Sequence, residues 1–167
     1  MLSKSKILDI DQVKQKLNRI AWEIYEDNFQ ENEIVIVGVS KRGLLLAKKL
    51  TKLINLISDL HVNLGSLDLD KDNPYDKEVK INLNKKDYLN KVVIIVDDVL
   101  NSGKTLMYAS KHFLNTPLKR LSIMVLVDRN HNTYPIKANY TGLTLGTTLK
   151  EYINVILNGK DKGVYLS

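Results

Sequence analysis

The stretch from Lys91 to Thr105, KVVIIVDDVLNSGKT, constrains the fold of this chain more than any other. It begins with VVIIV, a run of β-branched apolar residues that is typical of a strand buried on both faces of a parallel sheet. Two carboxylates, Asp97 and Asp98, follow directly, and a turn, NSG at 101–103, leads into a predicted helix. A strand, a glycine-containing turn and a helix N-terminus form an anion-binding cradle, because free N–H groups and the helix dipole point at the ligand. We therefore expect a ligand with a phosphate and with hydroxyl or metal-bound groups, such as a sugar phosphate with Mg²⁺.

Two other interpretations compete with a sugar-phosphate site. The tripeptide GKT at 103–105 resembles the tail of a nucleotide-binding P-loop, but that motif needs a glycine five residues earlier, where this chain has Asp98. A carboxylate there would repel the phosphates, so we exclude a P-loop. The acid pair could instead only cap a turn, but the buried strand before it and SGKT after it favour a binding role.

A second strand followed by a helix predicts a second anion site. Residues 34–37 form a buried strand pattern, GVSKRG at 38–43 follows, and residues 44–56 have the apolar density of a buried helix. Lys41 or Arg42 supplies positive charge there, and a glycine at the end of the loop lets the backbone approach a ligand. The alternative is a plain strand-to-helix turn with solvated bases, which the neighbouring acid pair disfavours.

The remaining pattern also alternates helices with strands. An amphipathic helix is predicted over residues 9–29, where Asp9 and Gln12 have the spacing of a capping box. Further strands are predicted over residues 61–69, 121–127, 152–157 and 164–166. This order predicts one α/β domain over residues 1–167, with a doubly wound, mostly parallel sheet and helices on both faces.

The segment 70–90, DKDNPYDKEVKINLNKKDYLN, is polar, charged and low in apolar residues. A long stretch of this kind within a compact domain is often a lid over a reacting centre. We therefore expect a flexible lid over 70–90, with a surface loop of no particular role as the alternative.

Four stretches of the chain resemble a known protein family. VVIIVDDVLNSGKTL is similar to the phosphoribosyl-diphosphate signature of the type I phosphoribosyltransferases. RIAWEIYEDN, GVSKRG and VLVDRNHNTYPIKANYTG resemble, more narrowly, the family of pyrimidine-operon regulators and uracil phosphoribosyltransferases. The resemblance extends from about Ile7 to Val155 and implies the type I phosphoribosyltransferase fold, with a small hood over residues 128–167.

The resemblance implies that the ligand is 5-phosphoribosyl-1-diphosphate with Mg²⁺. Asp97, Asp98 and Arg42 would be catalytic, and the two carboxylates would accept from ribose hydroxyls that also bind Mg²⁺, so that no residue ligates the metal directly. Arg129 and the main chain near Ile153 would contact the base. The residues implied to bind phosphoribosyl diphosphate are Asp97, Asp98, Val99, Leu100, Asn101, Ser102, Gly103, Lys104 and Thr105, and those implied to bind its diphosphate are Ser40, Lys41, Arg42 and Gly43.

Some positions depart from the family pattern. Purine-salvage relatives carry at position 101 an Asp that can take a proton from the purine, whereas Asn101 has no basic site, so uracil is the preferred base. The uracil-operon relatives usually have Tyr there. In the lid, Lys71 and its neighbours stand where the family usually has an Arg, and an ammonium does not replace a bidentate guanidinium. His131 in the hood is expected to pack or hydrogen-bond rather than to act as a general base.

Two functions of different classes follow from the resemblance. The first is an enzyme that forms UMP and diphosphate from uracil and phosphoribosyl diphosphate, with another nucleobase as the alternative substrate. The second is a regulator that senses UMP or UTP and binds RNA to control transcription termination, with little or no turnover. The formal net charge of +6 and pI near 9.3 favour an anionic partner, either a phosphorylated substrate or RNA.

The composition and the apolar pattern indicate where in the cell the protein is located. The chain has no cysteine, and its sequence has neither a signal-peptide-like start nor an apolar run long enough to span a membrane. We expect a cytoplasmic protein that does not bind membranes and that forms a homodimer or a higher homo-oligomer.

Overall fold

The structure is a computed structural model that describes residues 4–167, so residues 1–3 of the predicted domain lie outside the described residues. The strands are β1 (Ser5–Leu8), β2 (Glu33–Val39), β3 (His61–Asp68), β4 (Lys80–Ile81), β5 (Val92–Leu100), β6 (Arg120–Asp128), β7 (Tyr140–Thr144), β8 (Ile153–Ile156) and β9 (Gly163–Leu166). The helices are α1 (Ile10–Asn28), α2 (Ser40–Ile57), α3 (Lys85–Tyr88) and α4 (Lys104–Leu114). Within residues 4–167, none of the helices has the length and apolar character needed to cross a bilayer.

The central sheet has six strands in the order β4-β3-β2-β5-β6-β7, and only β4 is antiparallel to its neighbour. A second, antiparallel sheet has the order β1-β9-β8. From the central pair β2 and β5, the chain passes through α2 to β3 on one side and through α4 to β6 on the other. The carboxyl ends of β2 and β5 are therefore a topological switch point, where open α/β sheets bind ligands. The predicted doubly wound α/β fold is confirmed.

The apolar run of β5 sends its side chains alternately into two cores. Val92, Ile94 and Val96 belong to the core that includes residues of α1 and α2. Val93 and Ile95 belong to the core on the opposite face, which includes residues of α3 and α4. Because strand side chains alternate between faces, a run apolar at every position is what a sheet covered on both sides requires.

The predicted helix over residues 9–29 is α1, and its capping box is present. The Asp9 side chain accepts from the Gln12 backbone N–H at 2.8 Å, and the Gln12 side chain accepts from the Asp9 backbone N–H at 2.9 Å. These two bonds satisfy N–H groups that the start of a helix leaves without partners.

Three expectations about local structure need correction. The strand expected to end at Val96 continues as β5 to Leu100, because β6 still pairs there: Leu100 lies opposite Asp128. No loop separates β2 from α2, since Val39 ends the strand and Ser40, with a left-handed φ of 54°, begins the helix. The strands β1 and β7 had no counterpart among the predicted elements.

The segment 70–90 contains two short elements, β4 and α3. Tyr88 of α3 is buried in the core beside α4, so the end of this segment is anchored. Residues 69–79 form neither helix nor strand. The role of the segment as a lid stays a prediction.

We predict that Gly43→Ala destabilises the protein, although Gly→Ala within a helix ordinarily stabilises it. A Cβ at Gly43 would lie 2.4 Å from the Val96 carbonyl oxygen, so α2 and β5 would have to separate. We expect a loss of about 1–3 kcal/mol in the free energy of unfolding, measured in urea. Gly146→Ala, where a Cβ meets nothing within 4 Å, is the control. Equal or higher stability of Gly43→Ala would contradict the packing described.

Candidate functional site

The acid pair lies at the carboxyl end of β5 and is almost wholly buried. Asp97 is 2% exposed and Asp98 is 5% exposed. The Asp97 carboxylate accepts the backbone N–H of Asp98 at 2.9 Å, which fixes its orientation. Buried carboxylates need compensating partners, so the groups that face this pair decide its chemistry.

Two cationic side chains from different parts of the chain face the acid pair. Arg42, in the first turn of α2, places Nη1 3.3 Å from Asp98 Oδ2. Lys71, in the lid segment, places Nζ 3.7 Å from Asp97 Oδ1. Each carboxylate thus has one cation, and both cations are about half exposed.

Burial, and after it the neighbouring Asp98 carboxylate, raise the pKa of Asp97 to about 8. Lys71 acts in the opposite direction and lowers this pKa. The free protein therefore holds a proton on the acid pair near neutral pH. An incoming group that donates hydrogen bonds or carries positive charge would favour the ionised form.

The anion cradle lies directly after the acid pair. Gly103 has a φ of 87°, in the left-handed region that favours glycine, and precedes the first residue of α4. The Ser102 hydroxyl accepts the backbone N–H of Lys104 at 3.2 Å. The backbone N–H groups of Thr133 and Tyr134 both donate to the Ser102 carbonyl oxygen, at 2.9 and 3.0 Å, so the hood holds the turn in place. The next N–H groups of α4, those of Thr105 and Leu106, are left for an anion.

A cavity of about 320 Å³ brings most of the predicted site together; we call it the first cavity. Its lining residues are Arg42, Lys71, Asp97, Asp98, Val99, Leu100, Asn101, Ser102, Gly103, Lys104, Thr105, Leu106, Arg129, Tyr152 and Ile153. The acid pair, the cradle and the expected base-contacting residues therefore share one space. The roles assigned to these residues stay predictions.

The four residues of the predicted diphosphate loop do not all line the same cavity. Ser40 and Lys41 line a second cavity of about 810 Å³, whereas Arg42 lines both cavities. The remaining lining residues of the second cavity are Leu44, Ser66, Leu67, Asp68, Lys71, Lys80, Ile81 and Asn82. Gly43 lines neither, because it packs against the main chain of β5. The role of these four residues in binding diphosphate stays a prediction.

Arg129 lines the first cavity, but most of its hydrogen-bonding capacity is already used. Its guanidinium is buried and donates four hydrogen bonds of 2.6–3.1 Å, to Thr147 Oγ1, Asn101 Oδ1, Thr148 O and Glu151 O. Because a guanidinium has five N–H groups, one on Nη1 is left for a ligand. Arg129 therefore joins the hood to the signature turn in addition to any contact with a base.

Several lining residues had no assigned role in the sequence analysis. Leu106 and Tyr152 also line the first cavity, and Lys71, for which the sequence indicates only the replacement of an Arg, faces Asp97. Glu151 accepts from the Thr148 backbone N–H, which lowers the pKa of its carboxyl, and so closes the hood turn. The only sequence signal for a role of Glu151 is that it is a polar residue directly before the strand predicted over residues 152–157. His131 Nε2 donates to the Thr147 carbonyl oxygen, in agreement with the expected hydrogen-bonding role.

Comparison with known proteins gives consistent results. The phosphoribosyl transferase domain family matches residues 3–157 of this chain. The Bifunctional protein PyrR of Clostridium novyi is 35% identical over 165 residues, covering 95% of this chain and 93% of that protein. The Bifunctional protein pyrR of Enterococcus faecalis is 32% identical over 171 residues, covering 96% and 93%.

Solved structures share the fold. A hypoxanthine-guanine phosphoribosyltransferase from Bacillus anthracis is 25% identical, with a TM-score of 0.71 over 84% of this chain and 81% of that chain. The hypoxanthine phosphoribosyltransferase of Trypanosoma cruzi is 16% identical, with a TM-score of 0.74 over 89% and 84%. The second of these shows similarity of fold alone.

We predict that Asp97 contributes a loss of stability to the free protein as the pH rises between about 4 and 8, because folding raises the pKa of Asp97 from 3.8 to about 8. Between these pH values, the folded chain keeps a proton on Asp97 that the unfolded chain has released. The destabilising contribution of Asp97 is therefore absent below about pH 4 and complete above about pH 8. The slope reaches at most about 1.4 kcal/mol per pH unit. Asp97→Asn removes this contribution, so its stability relative to the unmodified chain increases with pH. Urea unfolding at several pH values tests this, with the exposed Asp59→Asn as control; parallel curves for Asp97→Asn and the parent would contradict it.

Proposed function

The chain belongs to the phosphoribosyl transferase domain family and, within it, to the family of the bifunctional PyrR proteins, and we propose that it transfers the 5-phosphoribosyl group of phosphoribosyl diphosphate to uracil. The observation that carries this proposal is the arrangement of the first cavity. A buried acid pair, the two cations that face it and the N-terminus of a helix line the same cavity. A ligand with a phosphate, adjacent hydroxyls and a diphosphate has one part for each of these three groups.

Each part of the ligand has its own binding group in this proposal. The backbone of residues 101–105 binds the 5-phosphate, with the Ser102 and Thr105 hydroxyls donating. Asp97 and Asp98 accept from the ribose hydroxyls. Arg42 binds the diphosphate, and Ser40 and Lys41 extend this binding surface into the second cavity.

The reaction is a displacement at C1 of the ribose. The bond from C1 to the diphosphate oxygen breaks, and its electron pair leaves with the diphosphate. The lone pair of uracil N1 forms the new bond to C1, and the N1 proton passes to solvent. The protein stabilises the leaving diphosphate with positive charge and keeps water away from the cationic C1 centre.

Mg²⁺ fits this site as a metal held mainly through the substrate. Within residues 4–167, no group of three or more His, Asp or Glu side chains is arranged to hold a metal ion. Asp97 and Asp98 would hold the ion near them through the ribose hydroxyls and the diphosphate. When bound, Mg²⁺ neutralises phosphate charge and retains several waters.

The choice of uracil rests on Asn101 and on the PyrR relatives. The side-chain oxygen of Asn101 accepts from Arg129 at 3.0 Å, so it faces a donor and has no basic atom to take a purine proton. The remaining N–H on Arg129 Nη1 is suited to donate to a uracil carbonyl. Another nucleobase remains the alternative, because the similar protein from Bacillus anthracis is a hypoxanthine-guanine phosphoribosyltransferase.

The domain organisation follows from the same proposal. Residues 1–167 form one phosphoribosyltransferase domain, in which residues 70–90 close over the diphosphate and residues 128–167 form the hood over the base. The hydrogen bond from Lys104 Nζ to the Asp72 carbonyl oxygen, at 2.9 Å, supports a lid that touches the phosphate cradle.

We predict that the double variant Asp97→Asn, Asp98→Asn abolishes uracil-dependent UMP formation, because it removes both negative charges and replaces one acceptor oxygen of each carboxylate with an NH2 donor. UMP is measured from uracil, phosphoribosyl diphosphate and Mg²⁺, with hypoxanthine, guanine and orotate in parallel reactions. Asp59→Asn is the control that retains turnover. Unchanged turnover in the double variant would contradict the site, and product from a purine but not from uracil would contradict the choice of base.

A second candidate function is regulation through RNA binding. A groove of about 320 Å³ beside α2 is lined by Leu45, Lys48, Lys49, Thr51, Lys52 and Leu64. Three lysines with no carboxylate among them suit the backbone of a single-stranded RNA loop. The relatives are named bifunctional, which supports a second activity beside transfer.

We predict that the triple variant Lys48→Gln, Lys49→Gln, Lys52→Gln weakens RNA binding but not UMP formation. Each lost phosphate contact reduces the dependence of log K on log salt by about 0.7 for single strands, so the slope decreases by about 2. The measurement is fluorescence binding of a pool of random hairpin-loop RNAs at several salt concentrations. An unchanged slope would show that this groove does not bind RNA.

A further inference from the structure

Part of the lid segment lies against α4, beside the anion cradle, and we call this part, residues 70–78, the lid turn. It has neither helix nor strand, and it is shaped by the Asp70 carboxylate, which accepts the backbone N–H groups of Asn73 and Asp72 at 3.1 and 3.0 Å. These hydrogen bonds lower the pKa of Asp70, so the carboxylate is ionised and holds the turn at neutral pH. The turn presents the Asp72 carbonyl oxygen to α4.

One charged hydrogen bond joins the lid turn to the rest of the protein. Lys104, the first residue of α4, donates from Nζ to the Asp72 carbonyl oxygen at 2.9 Å. Across residues 4–167, it is the single hydrogen bond between the lid turn and residues outside it. The ion pair of Lys71 with Asp97 is longer, at 3.7 Å. The position of the lid turn therefore depends mainly on Lys104.

Two aromatic rings add a second contact between the lid turn and α4. The centroid of the Tyr75 ring lies 6.4 Å from that of the Tyr108 ring and 5.6 Å from the Lys104 ammonium. Because Lys104 and Tyr108 are four residues apart in a helix, they lie on the same face of α4. Tyr75 is 63% exposed, so its ring contacts are weak and can be broken at modest cost. We call Tyr75, Lys104 and Tyr108 the clasp.

Lys104 belongs to the anion cradle as well as to the clasp. It follows Gly103 directly and lines the first cavity, and the N–H groups of Thr105 and Leu106 that are left for an anion lie in the same turn of α4. A bond from an ammonium to a phosphate joins two charged groups, so it is stronger than a bond to the neutral carbonyl of Asp72. A phosphate in the cradle therefore competes with the lid turn for the Lys104 ammonium, whose flexible stem allows the exchange.

Resting on the proposed function, we propose that Lys104 is a positioning residue that docks the lid turn on α4 in the free protein and releases it when the 5-phosphate of the ligand enters the cradle. Release leaves the lid turn free to move over the diphosphate at the other end of the sugar. The 5-phosphate takes no part in the displacement at C1. Its binding energy thus controls the segment that keeps water away from C1.

The mobility of the lid turn can be measured directly, because the chain has no cysteine and Lys77→Cys gives a single site for a spin label. Electron paramagnetic resonance compares the labelled parent without ligand, with ribose 5-phosphate and with ribose. Saturating ribose 5-phosphate increases the ratio of undocked to docked lid turn by about fivefold or more, since one charged hydrogen bond is exchanged. Ribose, which has no phosphate, leaves this ratio unchanged.

Lys104→Met removes the ammonium, so the label is mobile with and without ribose 5-phosphate. The control is Lys160→Met, which changes an exposed lysine in the turn between β8 and β9 and resembles the parent under all three conditions.

A second pair of variants tests the clasp without a change in the cradle. Tyr75→Ala removes the ring that contacts Lys104 and Tyr108, so the label is more mobile in the free protein, whereas Tyr75→Phe keeps the ring and resembles the parent. Because docking of the lid turn and binding of phosphate compete for one ammonium, Tyr75→Ala binds ribose 5-phosphate about twofold to threefold more tightly than the parent, measured by calorimetry. A ring with only a structural role would not increase this affinity.

The outcomes separate this inference from the function on which it rests. If the parent binds ribose 5-phosphate and forms UMP, but the label does not become more mobile, the release of the lid turn is wrong and the proposed function stands. Equal mobility of the label in free Lys104→Met and Lys160→Met, or weaker binding of ribose 5-phosphate by Tyr75→Ala, would also overturn the inference. If the parent neither binds ribose 5-phosphate nor forms UMP, the proposed function fails, and the release of the lid turn fails with it.

Discussion

The site depends on the fact that β5 is paired on one side only beyond Val96. On the side of β2, the register ends where Gly38 lies opposite Val96, whereas pairing with β6 continues to Leu100. The first turn of α2 fills the open side, and Gly43 brings it against the Val96 carbonyl oxygen. This close approach places Arg42 at the acid pair. The switch point of the sheet and the charged centre of the site therefore have one physical cause.

The acid pair shows how the fold accommodates buried charge without full compensation. Two adjacent carboxylates with little access to water repel each other. A proton on the pair and two partly exposed cations reduce this repulsion. Neither cation is buried with its partner, so each can move at modest cost. A ligand that supplies hydroxyl groups and positive charge relieves the same repulsion. The two carboxylates therefore have fewer favourable interactions in the free protein than they would have with such a ligand bound.

Arg129 couples the hood to the rest of the site. Its buried guanidinium joins Asn101 of the signature turn to three groups between Thr147 and Glu151. Breaking this network would leave a buried charge without its hydrogen-bond partners, which is strongly destabilising, so hood and turn are positioned together. The packing of Ile136 against Gly103 adds an apolar contact to the same junction, since a Cβ on Gly103 would lie 2.5 Å from Ile136 Cγ2.

The sequence by itself determined the elements whose signal is local. The apolar run before Asp97 predicted a strand buried on both faces, the spacing in α1 predicted an amphipathic helix with its cap, and the turn before α4 predicted an anion cradle. These predictions depend on the periodicity and backbone preferences of neighbouring residues, which a single stretch contains. The residues expected to form the centre of the site, from Asp97 to Thr105, do share one cavity.

Tertiary structure decided the contacts between residues that are far apart in the chain. The charged pair of Arg42 with Asp98 joins residues separated by 56 positions, and the bond of Arg129 to Asn101 joins residues separated by 28. Which cation faces which carboxylate, and the division of Ser40, Lys41 and Arg42 between two cavities, depend on how the helices pack on the sheet. No local pattern contains that information, because the partners come together only when the layers of the fold are assembled.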